Sequence, residues 1–269
     1  MSRVPALTLP KELEPHRKQI SQTVAPYISV IAKNEKANIH QSKFGGHPYL
    51  PKEVEHPKDR NGKPMLLLAQ INFKELPKLD DMPEKGLLQF FITAEDDLMG
   101  LDFDNMTKQS NFKILYHPTI SSDPSGLISD FSYLEQLNTE FFPIERESSL
   151  SFQIAYDPVS IEDFRASTLL GKSIDFSFDA SEEDEELWEA YAGAFRGEGH
   201  KIGGYPFFTQ TDPRDDEKYK EHEILLLQID TDDENGIMWG DAGVANFFIK
   251  KEDLLNLHFE NVLYNWDCH

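Results

Sequence analysis

Much of this chain is written twice. Lys43-Phe-Gly-Gly-His-Pro-Tyr49 returns as Lys201-Ile-Gly-Gly-Tyr-Pro-Phe207, and Leu67-Leu-Ala-Gln-Ile71 returns as Leu225-Leu-Leu-Gln-Ile229 at the same offset of 158 residues. Gly86-Leu-Leu-Gln-Phe-Phe-Ile92 is answered by Gly243-Val-Ala-Asn-Phe-Phe-Ile249 at an offset of 157. Ile114-Leu-Tyr116 then pairs with Val262-Leu-Tyr264 if the first copy carries extra residues around Leu98 to Met106. An ordered series of this kind binds both copies to one local design. One copy is too small to enclose a core alone, so the two must pack together.

Each copy opens on a Gly-Gly-x-Pro element. Gly45 and Gly46, like Gly203 and Gly204, permit positive φ, and Pro48 and Pro206 fix φ, so a rigid turn is expected in each copy. Strands are expected at Met65–Phe73, Leu87–Thr93 and Phe112–His117. Gln70 and Gln228 recur inside apolar strands, where burial demands hydrogen bonds, and are read as ties for the neighbouring turns. Phe90-Phe91 and Phe247-Phe248 are read as core. Helical spacing is seen at Leu13, Ile20 and Val24 before Pro26, and at Leu127, Phe131, Leu134 and Leu137. Ser160-Ile-Glu-Asp163 reads as a capping box for a helix ended by Gly171. Ser181-Glu-Glu-Asp184 reads as a second, opening the stripe Leu187, Trp188, Tyr191, Ala194 and Phe195 that Gly197 stops. The expected fold is therefore α+β: internally duplicated helix-plus-sheet units packed about a pseudo-twofold axis into one fused body over 1–269. Repeat 1 spans about 40–118, a helical connection about 119–180, and repeat 2 about 181–269.

The formal charge of −22 is unevenly spread: residues 1–150 hold 17 Lys+Arg against 21 Asp+Glu, and residues 151–269 hold 9 against 27. Such a field repels nucleic acid and anionic membrane and attracts a basic protein partner. No run approaches the roughly 20 apolar residues of a membrane span, and the first ten residues lack a secretory signal, so a cytoplasmic location is expected. The single cysteine, Cys268, admits no intrachain disulfide and no sulfur zinc site.

Motifs for chemistry fail position by position. Gly171-Lys172-Ser173 lacks the first glycine of a phosphate loop, which falls at Ala166, and His222-Glu223 lacks the second histidine of a zinc protease. Gly193, Gly197, Gly199 and Gly203 lack dinucleotide-loop spacing, and no Gly-x-Ser-x-Gly elbow occurs. His47 is Tyr205 in the second copy, so any role it has belongs to one copy. No cofactor is implied and no catalytic residue emerges. The nearest approach to a ligand site is Asp230 to Asp241, where Asp230, Asp232, Glu234 and Asp241 fall at positions 1, 3, 5 and 12 of a calcium-loop template. The glycine is one place late and the last ligand is Asp, which favours an acidic turn between strands over a metal site. Asp233 adds to its charge, and Trp239 beside Asp241 is read as part of an aromatic and acidic contact surface.

Taken together, Lys43-Phe-Gly-Gly-x-Pro-x-Leu-Pro51, Leu67-Leu-Ala-Gln-Ile-Asn72, Gly86-Leu-Leu-Gln-Phe-Phe91, Leu226-Leu-Gln-Ile-Asp230, Met238-Trp-Gly-Asp241 and Phe247-Phe248 resemble the YwqG-like family of bacterial proteins. The resemblance covers most of the chain from about residue 40. It implies a duplicated α+β fold, defines no catalytic residue, and carries an association with toxin and immunity loci. Two functions follow as expectations. The first is a non-enzymatic binding protein, of the immunity type, whose acidic second half neutralises a basic toxin domain. The alternative is a divalent-cation-dependent hydrolase at Asp230, Asp232 and Asp241.

Overall fold

The computed structural model describes residues 5–171 and 182–269. Ten strands form one antiparallel sheet: β1 (Ala25–Lys33), β2 (Lys43–Phe44), β3 (Leu66–Asn72), β4 (Leu87–Ile92), β5 (Phe112–His117), β6 (Ser148–Asp157), β7 (Lys201–Gly203), β8 (Ile224–Asp230), β9 (Val244–Ile249) and β10 (Leu263–Asp267). Their order is β10-β9-β8-β7-β1-β6-β2-β3-β4-β5. Helices are short: α1 (Arg17–Gln22), α2 (Ala166–Leu170), α3 (Glu182–Ala194) and α4 (Lys251–Leu255). Among the described residues no helix is long and apolar enough to cross a membrane.

The sheet cannot be flat. At about 4.8 Å per strand, β4 and β9 would lie about 34 Å apart in a plane. Instead the rings of Phe90 and Phe247 meet at 4.8 Å, and those of Phe112 and Tyr264, on the two outermost strands, meet at 5.2 Å. The ladder is therefore rolled into a half-barrel whose concave side holds the main core, with Ile28, Leu68, Phe90, Leu226 and Phe247 all buried. β4 and β9 are buried along their whole length because loops cover the opposite side: Phe91 packs with Met65 and Leu67, and Phe248 with Phe208 and Tyr219. Two-sided burial is what a continuous apolar run such as Leu87-Leu-Gln-Phe-Phe-Ile92 records.

Two strands cross between the halves. β1 precedes the first Gly-Gly segment yet pairs with β7, and β6 precedes the second yet pairs with β2. β1 and β6 pair with each other from Ala25↔Asp157 to Lys33↔Ser149, so one ladder runs through both halves.

The residues before Lys43 and those between the copies differ from the helical expectation. α1 is as expected, but Pro26 lies in β1, where Ile28 and Val30 alternate inward. The connection expected to be helical over about 119–180 holds 3-10 turns at Pro124–Gly126 and Ser132–Leu134, then the ten-residue β6 and the short α2. Leu127, Phe131, Leu134 and Leu137 do turn inward, but from irregular backbone capping the convex side, which gives apolar anchors without a helical ladder. Asp163 does not cap a helix at Ser160. Its carboxylate takes Arg165 and the fully buried Arg214, which Asp212 also holds at 2.6 Å, and α2 begins only at Ala166. Gly171 ends α2 with φ 68° as expected. Ser181 of the second capping box, and Lys172 and Ser173, lie outside the described residues.

Candidate functional site

Each Gly-Gly turn is clamped by its own glutamine. Gln70, fully buried, accepts from Tyr49 N at 2.9 Å and from Gln89 Nε2 at 2.9 Å, and donates to the Ile39 and Gln41 carbonyls at 3.0 and 2.8 Å. Gln228 accepts from Phe207 N at 2.8 Å and donates to the Gly197 and Gly199 carbonyls at 2.9 and 2.7 Å. The Gln70 amide is thereby saturated and Gln228 commits both of its amide hydrogens, so both are scaffold. Gly45 and Gly46 adopt φ of 64° and 72°, and Gly203 and Gly204 φ of 74° and 69°, so the chain bends in left-handed backbone at the ends of β2 and β7.

The first of these turns opens onto a groove of about 810 Å³. Its floor is Leu66 and Leu67 of β3 with Met99, and one bank is the segment from Phe131 to Glu145. The other bank is Met238 and Gly240, the middle of the acidic turn in the second copy. Backbone pairing brings the banks together: Met238 N donates to Pro143 O at 2.8 Å and Glu145 N to Gly236 O at 2.9 Å. His47 stacks on Phe131 at 4.8 Å between ring centres. The groove is thus one site shared by both halves, and Met99 holds its wall at a φ of 48° that a long side chain rarely adopts.

Its chemistry is apolar inside and anionic at the rim. Phe141 and Met238 are 39% and 43% exposed, far above their neighbours in the core. Glu135, Glu140 and Glu145 are exposed and, among the described residues, pair with no cation. No Lys or Arg stands among the lining residues.

The acidic turn itself is mostly occupied with holding its own shape. Asp230 accepts from Gly199 N at 2.6 Å and Thr231 N at 2.9 Å, and burial pushes its carboxyl upward. Asp232 accepts from His200 Nε2 at 3.3 Å and from Asn235 N and Nδ2 at 3.2 and 2.7 Å, and the His200 hydrogen bond holds it far below the usual carboxylate range. His200 Nδ1 in turn accepts from Asp230 N at 3.0 Å, so the ring ties the two aspartates of the turn together. Asp233 and Asp241 are exposed. Among the described residues no three His, Cys, Asp or Glu side chains are placed to hold a metal ion. Trp239 differs from the contact-surface expectation: it is fully buried, 6.2 Å from Trp266, and the exposed apolar side chain of this turn is Met238.

A family model described as "Domain of unknown function (DUF1963)" matches residues 42–268. The chain belongs to this family. The match starts one residue before the first Lys-x-Gly-Gly motif and runs through β10, so it takes in both copies and the whole groove. No curated protein matches the chain significantly.

Of the groove segment from Phe131 to Glu145, the sequence shows Phe131, Leu134 and Leu137 as apolar positions at helical spacing, and no motif marks any of it as a site. Its signal is a composition shift: from Ile120 to Phe142 the chain carries no Lys or Arg.

Proposed function

We propose that the protein is a non-enzymatic binding protein that holds a basic protein partner in this groove. The supporting observation is the combination of exposed Phe141 and Met238 with a rim of three unpaired glutamates and no lining cation. An apolar anchor flanked by Lys or Arg satisfies both features, since charge steers the encounter and apolar burial holds the complex. On this proposal the partner is of the toxin-domain class, the chain is a cytoplasmic YwqG-like immunity protein, and the halves are duplicated units about a pseudo-twofold axis between Ile31 and Ser151. The ladder supports that axis, because Lys43 faces Ser149 on β6 as Lys201 faces Ser29 on β1. The cation-dependent hydrolase has weaker support, since Asp230 and Asp232 already accept two or more hydrogen bonds each.

Fluorescence anisotropy with a labelled peptide alternating Leu and Lys tests the proposal. The triple variant Glu135→Lys, Glu140→Lys, Glu145→Lys should weaken binding by at least about tenfold, or about 1.4 kcal/mol. The charge-matched control Glu12→Lys, Glu252→Lys, Glu260→Lys, away from the groove, should weaken it much less. Equal losses in the two triples would mean a diffuse acidic field and no groove site.

A further inference from the structure

A second hollow, of about 400 Å³, lies at the edge strand β10. Three aromatic residues line it. Phe103 is 66% exposed, the most open large apolar side chain among the described residues, and Tyr219 and Trp266 complete the aromatic wall. Asp104, Asp216 and Asp267 supply three carboxylates against one cation, Lys218.

Asp267 is the informative member. It is 9% exposed, and its Oδ1 accepts from Thr209 N at 2.9 Å and Thr209 Oγ1 at 2.8 Å. Its Oδ2 is buried with no hydrogen-bond partner, and burial pushes the carboxyl upward against the pull of the Thr209 and Gln210 N–H groups. On the neighbouring strand Asn246, which faces Asn265 of the hollow, leaves its own Oδ1 buried and unpartnered. Both unpartnered atoms are acceptors, so what satisfies them must donate. Lys218 shows how the walls receive a cation: its Nζ sits 4.8 Å from the Tyr219 ring centre and donates to the Asp104 carbonyl at 2.9 Å, yet it makes no ion pair among the described residues.

We propose that this hollow binds an alkylammonium or guanidinium group, with the Asp267 carboxylate as counter-ion and Phe103, Tyr219 and Trp266 as the aromatic wall. An N–H cation meets the acceptor, the charge balance and the ring faces together. An anion meets the carboxylates with repulsion, and a neutral apolar ligand leaves Oδ2 unsatisfied. The group can belong to a free amine or to a Lys or Arg side chain of a protein.

Calorimetry with n-butylammonium, with n-butanol as neutral control, and with acetyl-Gly-Lys-Gly-amide tests the site on the full chain. The ammonium should bind with Kd of about 1 mM and the alcohol should not. Asp267→Asn, which keeps Oδ1 for Thr209, should weaken the ammonium at least about tenfold. Phe103→Ala should do the same, and at 66% exposure its truncation leaves the fold intact, which a melting curve verifies. A peptide that binds more tightly than butylammonium assigns a protein side chain, and a weaker one assigns a free amine. Equal binding of butanol, wild-type binding by both variants, or no heat from any ammonium probe would overturn the proposal.

Discussion

Replacing Gln70 by Leu is the sharpest perturbation of this scaffold. Leucine fills nearly the same volume and adds no polar atom, so the cost comes from partners left behind rather than from a cavity. Gln70 serves four groups. Tyr49 N belongs to a residue only 1% exposed and loses its acceptor outright, which costs about 1–3 kcal/mol. Gln89 Nε2 keeps its bond to Tyr49 O at 2.7 Å but loses the second. The Ile39 carbonyl is half-buried and that of Gln41 belongs to an exposed residue, so water recovers part of both. The sum is about 3–5 kcal/mol. Gln228→Leu strands Phe207 N in the same way and frees the half-buried Gly197 and exposed Gly199 carbonyls, but it breaks no bond like the one from Gln89 Nε2 to Gln70, so about 2–4 kcal/mol is expected. Urea unfolding followed by tryptophan fluorescence reads both values, and amide exchange should show Tyr49 N–H unprotected in the first variant alone. A Gln70→Leu cost below about 1 kcal/mol with Tyr49 still protected would refute the view that this glutamine holds the turn.

Lys201 is 1% exposed and, among the described residues, has no carboxylate within ion-pair distance, and burial pushes its ammonium down to about 8. Between that value and 10.5 the unfolded chain binds the extra proton, so wild-type stability should rise with pH there. Lys201→Met should remove that slope and gain about 1–2 kcal/mol at pH 7, and a loss at pH 7 would show that the long 3.4 Å bond of Nζ to the Tyr205 carbonyl and its place 4.6 Å from the Tyr27 ring centre outweigh the cost of burial. Burial also lowers His56, His117 and His222 from 6.5, so the unfolded chain binds more protons just below that pH and stability should fall on acidification. Glu162 opposes this trend: burial raises it to about 7, so between 4.5 and 7 the folded chain keeps a proton that the unfolded chain has released, and stability declines as pH rises through that window. Glu162→Gln should therefore steepen the rise in stability from pH 5 to 7 in urea melts, and an unchanged profile would place the titration elsewhere.

What the sequence made legible depended on whether the physical constraint was local. Gly45, Gly46 and Pro48 restrict their own backbone, and Gln70 and Phe90-Phe91 declare burial by residue type, so turns, ties and core strands could be read directly. β1 was missed because Pro26 reads as a helix stop, although Tyr27-Ile-Ser-Val30 carries the strand alternation. β1 pairs with β6 and β7, and β6 with β1 and β2, strands far away in sequence, and no local pattern encodes such pairing. Trp239 was misplaced for a related reason. Its acidic neighbours signal surface, while the indole is drawn inward by Trp266, a partner 27 residues on.

The two Gly-Gly turns share their clamps, so the groove must come from what covers them. Tyr205 in the second turn donates its hydroxyl to Thr23 O at 2.7 Å, lies 5.4 Å from the Arg165 guanidinium, and packs with Leu13, Ile20 and Tyr191. Helices α1, α2 and α3 thus close that turn. At the equivalent place in the first turn stands His47, with Phe131 as its ring contact among the described residues and irregular backbone in place of helices. The first turn is consequently left open as one end of the groove, facing Met238 of the other half. Of two turns with the same Gly-Gly-x-Pro sequence, one is thus covered by helices, and the other is the one a partner would reach if the groove binds as proposed.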